Sequence, residues 1–255
     1  WEAQPYRSPR LIYVSPAHQY PLGSVMSMPR RLALLELAAQ SGAWVVEDDY
    51  DSEFRHHGES LAALQGLDRQ GRVIYLGTFS KVMFPALRLA YMVLPPALVE
   101  PLIALQARLH RESDYLLQGA LADFMEQGHF SRHLRRMRSI YAQRQRRLRA
   151  LLSRLLACDL DNANDPSGFA LLGGAAGMHV TLRLPHGLDG EAICAELALR
   201  GISVSALSAY CHAAPPFPGL VLGYGGLSDA ELPQAVAMLA EVLNAARSKL
   251  AASAA

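Results

Sequence analysis

Cysteine is scarce in this chain: Cys158, Cys194 and Cys211 are the three in 255 residues, and none forms a C-x-x-C pair. An odd number without paired spacing argues against a disulfide framework and a thiolate zinc site, and fits a reducing compartment. Neither sign of charge prevails. Lys plus Arg number 24 and Asp plus Glu 23, a net charge of +1. That excludes a surface basic throughout, as a general polyanion binder needs, while leaving room for a local basic patch. No apolar run reaches the ~18 residues of a membrane span, and the opening residues do not read as a signal peptide. Core material is plentiful: 51% of residues are hydrophobic and 18% charged. Disorder is excluded for most of the length, and the size suits one large domain or a medium domain plus a small one. The plain expectation is a cytoplasmic α/β protein. The first residue is Trp1, and a polar stretch from Glu2 to Arg10 leads straight into a strand-like run, so the chain reads as if cut from something longer.

Leu11–Val14 is a short apolar β-type run, followed by turn formers from Ser15 to Gly23. Helical spacing from Pro29 to Ser41 stops at Gly42. Ala43–Val46 then reads as a buried strand ending in Glu47-Asp48-Asp49-Tyr50, with a short helix near Leu61–Leu67. Arg72–Gly77 and Leu89–Leu94 are further strands, and Pro96–His110 and Tyr115–Gln127 read as helices. Continuous apolar strands alternating with helices predict a mostly parallel sheet covered on both faces. Phe130 to about Ala157 is one long helix with eight arginines between Arg132 and Arg149 and no acid. Beyond Cys158 a region rich in Asp, Asn, Gly and Ala precedes strands at Met178–Leu184, Ile202–Ser205 and Leu220–Tyr224 and helices at Asp189–Arg200 and Ser228–Asn244. This predicts a small α+β unit, with the arginine helix connecting two domains.

Three positions stand out by their place on the strands. Asp48 closes one strand, Lys81 follows the next in Thr78-Phe79-Ser80-Lys81, and Arg88 comes seven residues later. Ligands bind at the carboxyl ends of strands in open parallel sheets. An acid, a lysine and an arginine gathered there suit pyridoxal phosphate. Its carbonyl takes a lysine amine, its pyridine nitrogen a carboxylate, and its phosphate cationic and hydroxyl groups such as Arg88, Thr78 and Ser80. Tyr50, two residues past Asp48, is within reach of the ring hydroxyl. Taken singly, a lysine after a strand is usually a solvated surface residue, and an Asp at a strand end a cap or turn residue; the combination carries the reading.

The segments Glu47–Arg55, Tyr75–Lys81 and Pro85–Tyr91 resemble the cofactor motifs of the MocR-type regulators. These are GntR-family bacterial transcription factors that join an N-terminal winged helix-turn-helix to a domain like the fold-type-I, class I/II aminotransferases. Ser15–Gly23, Gln127–Arg138 and Gly177–Val180 agree with it, and the similarity runs from about residue 11 to residue 244. The resemblance implies a partial fold-type-I α/β architecture. Residues 1–130 are the C-terminal part of the large cofactor domain, 131–157 the connecting helix, 158–248 the small α+β domain and 249–255 a frayed tail. It implies that Lys81 forms the internal aldimine as the one catalytic residue, that Asp48 pairs with the pyridine nitrogen, that Tyr50 bonds the phenolic oxygen, and that Thr78, Ser80 and Arg88 hold phosphate. It further implies a homodimer, a small-molecule amine or amino-acid effector, and DNA contact only through an absent N-terminal winged helix. No Asn stands in the His18–Gly23 loop, where aminotransferases place an Asn-Pro beside the ring.

Aminotransferases also grip the substrate α-carboxylate with an Arg on the last small-domain strand. Here Gly219–Tyr224 contains none, which points to a sensor rather than a general transaminase. A working aminotransferase is the alternative, and a scaffold serving dimerisation a third. In the family the upstream half of the large domain carries a phosphate-holding glycine turn and a ring-stacking aromatic, and the resemblance implies that this half is absent from the chain. Nucleic-acid contact by the arginine helix is the weaker reading beside solvated or acid-paired arginines. For His56-His57 and the His129/His133 pair, satisfied or exposed histidines are the stronger reading than a metal site, so none is expected.

Overall fold

The computed structural model describes residues 9–58, 61–110, 114–162 and 165–253. Residues 1–8 of the polar opening stretch and the last two of the tail lie outside them. The chain divides into two compact units: residues up to 135 apart from 20–23 and 54–58, and those two short segments with 136–255.

The first unit is built on one sheet. β1 (Leu11–Val14), β2 (Trp44–Asp49) and β3 (Val73–Thr78) lie side by side in chain order and run parallel; β4 (Ala90–Val93) adds an antiparallel edge. The sheet is therefore mixed and mostly parallel. The connection from β3 to β4 is too short for a parallel crossover. Between β1 and β2 runs α1 (Met28–Ser41), with Pro29 in its first turn, where no N–H bond is forfeited, and Gly42 closing it at φ 72°. After the short α2 (Leu64–Leu67), Ala38, Val45, Leu64 and Val73 make a buried cluster, with Ile12, Val14, Leu34 and Leu35 packed against it. Full burial of an aliphatic side chain such as Val45 contributes about 1.5–3 kcal/mol. The α1 side of the sheet is thus the packed one. Side chains alternate along strands, and the registers Tyr13↔Val46, Asp48↔Leu76 and Leu76↔Met92 put Tyr13, Asp48 and Met92 on the opposite face. A single helical turn, α3 (Phe79–Val82), follows β3; α4 (Pro96–His110) and α5 (Tyr115–Glu126) complete the unit before α6 (His129–Leu156).

The division between the units falls within α6. Its apolar stripe sinks into the second unit at Tyr141, Leu148, Leu152 and Leu156, and the ring of Phe54 meets Tyr141 edge-on at 4.8 Å. The remaining elements are β5 (Ala170–Leu172), β6 (His179–Arg183), α7 (Gly190–Leu199), β7 (Ser205–Ala206), β8 (Gly219–Gly223) and α8 (Glu231–Ser253). The sheet has the order β5-β6-β8-β7 and is antiparallel throughout. Leu182, Leu197, Leu220, Tyr224, Leu232 and Leu243 are fully buried in this unit. Three features depart from the sequence reading. The strand expected at Ile202–Ser205 is the two-residue β7. β5 occupies a stretch read as loop. α8 continues past Asn244, where a frayed tail was expected from Lys249, to Ser253; alanines, the best helix formers, extend it.

Candidate active site

The residues singled out by sequence stand near or follow in the chain the carboxyl ends of β2 and β3. Asp48 is next to last in β2, and Thr78 ends β3. Asp48 and Thr78 line one cavity of about 780 Å3 with Gly77, Phe79 and Tyr91. Thr78 also caps α3, its hydroxyl accepting from the Ser80 amide at 3.2 Å. Lys81 lies in that same turn and is exposed, and its charge acts on the carboxyl of Asp51. Arg88 follows the 3-10 turn Pro85–Leu87, exposed and held at φ 52°. A left-handed non-glycine residue costs roughly 1–2 kcal/mol, and strain of this kind collects at functional sites. Tyr50, Ser80, Lys81 and Arg88 do not line the cavity that Asp48 and Thr78 share.

The hydroxyl of Tyr50 donates to the His18 carbonyl at 2.6 Å. A phenol has one proton, so a bond from Tyr50 to a phenolate oxygen of a ligand requires that proton to leave His18.

The acid-rich run at the end of β2 divides into separate tasks. Glu47 points to the packed side, fully buried, and accepts from the amides of Leu64 and Gln65 at 2.8 and 2.9 Å. Burial raises its pKa, against the pull of those amides and of Arg31 4.0 Å away. Arg31 is itself buried, and its guanidinium donates to the carbonyls of Pro16, Met26 and Ala62. Asp49 accepts from the Tyr75 hydroxyl at 2.8 Å and from Ser52, and burial together with Asp49 pushes the Tyr75 phenol well up. Asp51 is buried against Nδ1 of His18 at 3.0 Å; burial raises its pKa and His18 draws it back. Asp48 alone of the four acids lines the cavity.

Two residues at the site escape sequence reading. The Tyr91 ring lies directly over Gly77, where an added Cβ would meet it at 2.2 Å. Tyr13 donates its hydroxyl to Oδ2 of Asp48. Strand alternation offered a signal for Tyr13, since a parallel neighbour of β2 presents every second residue to the Asp48 face. One histidine of each pair has a bonded ring: His133 bonds the Val82 carbonyl at 2.8 Å, and His56 the Gly177 carbonyl at 2.8 Å and the Tyr224 hydroxyl at 3.1 Å.

The sheet is mostly parallel, with a carboxylate near the end of one strand and a lysine-bearing turn after the next. The chain belongs to the aminotransferase class I and II family, whose model matches residues 3–238. Among curated relatives it is 42% identical over 230 residues to the probable rhizopine catabolism regulatory protein MocR of Rhizobium meliloti, covering 90% of this chain and 45% of that one. It is 30% identical over 233 residues to the HTH-type pyridoxine biosynthesis transcriptional regulator PdxR of Corynebacterium glutamicum, covering 91% and 48%. These bear out the likeness to helix-turn-helix regulators of the MocR type. The chain spans about half the length of the curated relatives it matches. Among solved structures, LysN, the alpha-aminoadipate aminotransferase of Thermus thermophilus, complexed with N-(5'-phosphopyridoxyl)-L-leucine, superposes with a TM-score of 0.81 at 26% identity over 94% of this chain and 60% of that one. The fold is therefore that of the fold-type-I aminotransferases.

Proposed function

We propose that this chain is the pyridoxal-phosphate-binding, effector-sensing part of a MocR-like transcription regulator. The observation that carries the reading is the pairing of Asp48, at the end of β2, with a Thr78-capped turn that bears Lys81 at the end of the neighbouring β3. The donor set fits the cofactor: an amine, a carboxylate, two hydroxyls, a phenol and a guanidinium stand on a single sheet edge and its following turns. When bound, pyridoxal phosphate supplies an electrophilic carbonyl that captures primary amines. Lys81 would hold that carbon, Asp48 would keep a proton on the pyridine nitrogen, and Thr78, Ser80 and Arg88 would bind the phosphate, Arg88 as a planar fork. Tyr50 would donate to the ring oxygen once released from His18.

The effector would be a small amine or amino acid. β8 and Tyr224 carry no arginine, so a substrate α-carboxylate finds no bidentate partner on that strand, which favours sensing over general transamination. DNA would be read through a winged helix preceding this chain, in a cytoplasmic homodimer; among the described residues no helix is long and apolar enough to cross a membrane. In this reading residues 1–130 belong to the large domain, 131–157 connect, and 158–248 form the small domain. The working aminotransferase is supported by 31% identity over 188 residues to the 2-aminoadipate transaminase of Thermus thermophilus, covering 72% of this chain and 45% of that one.

The composition makes the test sharp, because Lys81 and Lys249 are the two lysines of the chain. Incubation with pyridoxal phosphate, borohydride reduction and peptide mapping should place the label on Lys81 and lose it in Asp48→Ala. Label on Lys249 alone, or none, would sink the proposal. Release of the keto acid on adding amino acids would favour the transaminase over the sensor.

A further inference from the structure

β1 and β2 are parallel neighbours with Tyr13 opposite Val46. Residues alternate across a strand, so Tyr13 shares a face with Val46 and Asp48. Its hydroxyl reaches across that face and donates to Oδ2 of Asp48. Among the described residues Tyr13 is the one hydrogen-bond donor to this carboxylate. The phenol is pushed up to about 12, chiefly by the bond to Asp48 and then by burial. It therefore keeps its proton, and stays a donor, across the neutral range. The ring is 63% exposed. Phenylalanine would fill the same space and lose only the oxygen.

A carboxylate has two oxygens and can turn about its bond to Cβ. Fixing one oxygen to a neutral donor leaves the other free and sets the plane in which it meets a partner. We infer that Tyr13 is a positioning residue for the cofactor: it holds Asp48 by Oδ2 so that the other carboxylate oxygen is presented to the pyridine nitrogen. This rests on the proposal that the chain binds pyridoxal phosphate. The role of Tyr13 is to hold the carboxylate in place. Tyr13 acts on the ring nitrogen only through Asp48.

The test is a cycle of Tyr13→Phe, Asp48→Asn and the double variant, each titrated with pyridoxal phosphate by absorbance, with thermal melts to establish folding. The nitrogen NMR signal of cofactor labelled at the ring nitrogen serves as the second readout. Tyr13→Phe should fold as the wild type, weaken cofactor binding about three- to tenfold, and move the ring-nitrogen signal toward the unprotonated form. In the Asp48→Asn background it should change neither affinity nor signal further. Wild-type affinity and an unmoved signal in Tyr13→Phe would overturn the inference and leave the cofactor site standing. An equal loss with and without Asp48 would overturn it too, since Tyr13 would then act by another route. If the wild type takes no label at Lys81, the cofactor reading fails and this inference with it.

Discussion

A methyl group at position 77 would stand 2.2 Å from the Tyr91 ring, far inside contact distance. Gly77→Ala must therefore move Tyr91 off β3 or shift the β3–β4 pair. Overpacking of this kind costs about 1–3 kcal/mol, and a lower midpoint in urea unfolding would register it; an unchanged midpoint would show that Tyr91 moves freely. Glu47 offers a test by pH. Its folded pKa is raised above 4.5 by burial, so the folded state holds this proton more tightly than the unfolded one does. Its contribution to stability is present below about pH 4.5 and is lost as pH rises through the raised folded value. Glu47→Gln has no such proton to lose. The stability of the wild type relative to the variant should thus decline as pH rises from about 4.5, measured by urea titration at a series of pH values. A flat difference would mean that the two amides and Arg31 balance burial, and a rising one that they outweigh it. At this scale the sequence was half legible. The places of Asp48 near a strand end and of Thr78, Ser80 and Lys81 in the turn after the next strand were legible. Tyr13 and Tyr91 were not, because each meets its partner across a strand pairing whose register no local pattern prints. Nor did the run Glu47 to Asp51 reveal which acid faces the cavity and which are consumed by amides, Tyr75 and His18.

The elements themselves were clearer than their directions. Continuous apolar runs marked β2, β3 and β4, yet such a run looks the same read either way, and the reversal of β4 came from the length of its connection. β5 is three residues long in a stretch rich in turn formers, too short for any period to show. α6 was plain from spacing, and its chemistry follows from composition. Its 28 residues carry no acid. Like charges three and four apart, as in Arg132/Arg136 and Arg146/Arg149, each weaken a helix by about 0.2–0.5 kcal/mol. Partial relief comes from elsewhere in the chain. Arg144 bonds Asp229 at 3.4 Å and the Gly225 carbonyl at 2.7 Å, Arg147 the Asp229 carbonyl at 2.7 Å, and Arg149 Asp161. Moderate salt should screen the remaining repulsion, so the melting temperature should rise between about 20 and 300 mM sodium chloride. Arg146→Gln should show a smaller rise. A fall with salt in the wild type would mean that the ion pairs outweigh the repulsion. In α7 the cap is explicit: Asp189 accepts from the amides of Glu191 and Ala192 at 2.9 and 3.2 Å, and Asp189→Ala should cost about 1 kcal/mol in the same unfolding assay.

On the scale of the molecule, charge is segregated and apolar surface is uncovered. α6 carries nine arginines and no acid. The rest of the chain therefore holds 24 − 9 = 15 basic residues against 23 acidic ones, and the net charge of +1 conceals two regions of opposite sign. Leu11, Tyr13, Met92, Leu109, Tyr115 and Leu116 all stand exposed in the first unit. Apolar side chains left exposed on the isolated chain favour its association. The isolated chain should therefore associate at micromolar concentration in sedimentation velocity and bind a hydrophobic dye; a dilute and concentrated sample sedimenting alike without dye binding would contradict this. The second unit, finally, is not one stretch of chain. Residues 20–23 and 54–58 belong to it. Pro21 receives the Thr181 hydroxyl at 2.7 Å through its carbonyl, and His56 bonds Tyr224. Cutting the polypeptide once, anywhere, cannot liberate this unit whole. A fragment starting at Arg136 would lack two of its own pieces, and supplying them as separate peptides is the way to ask whether it can be reassembled.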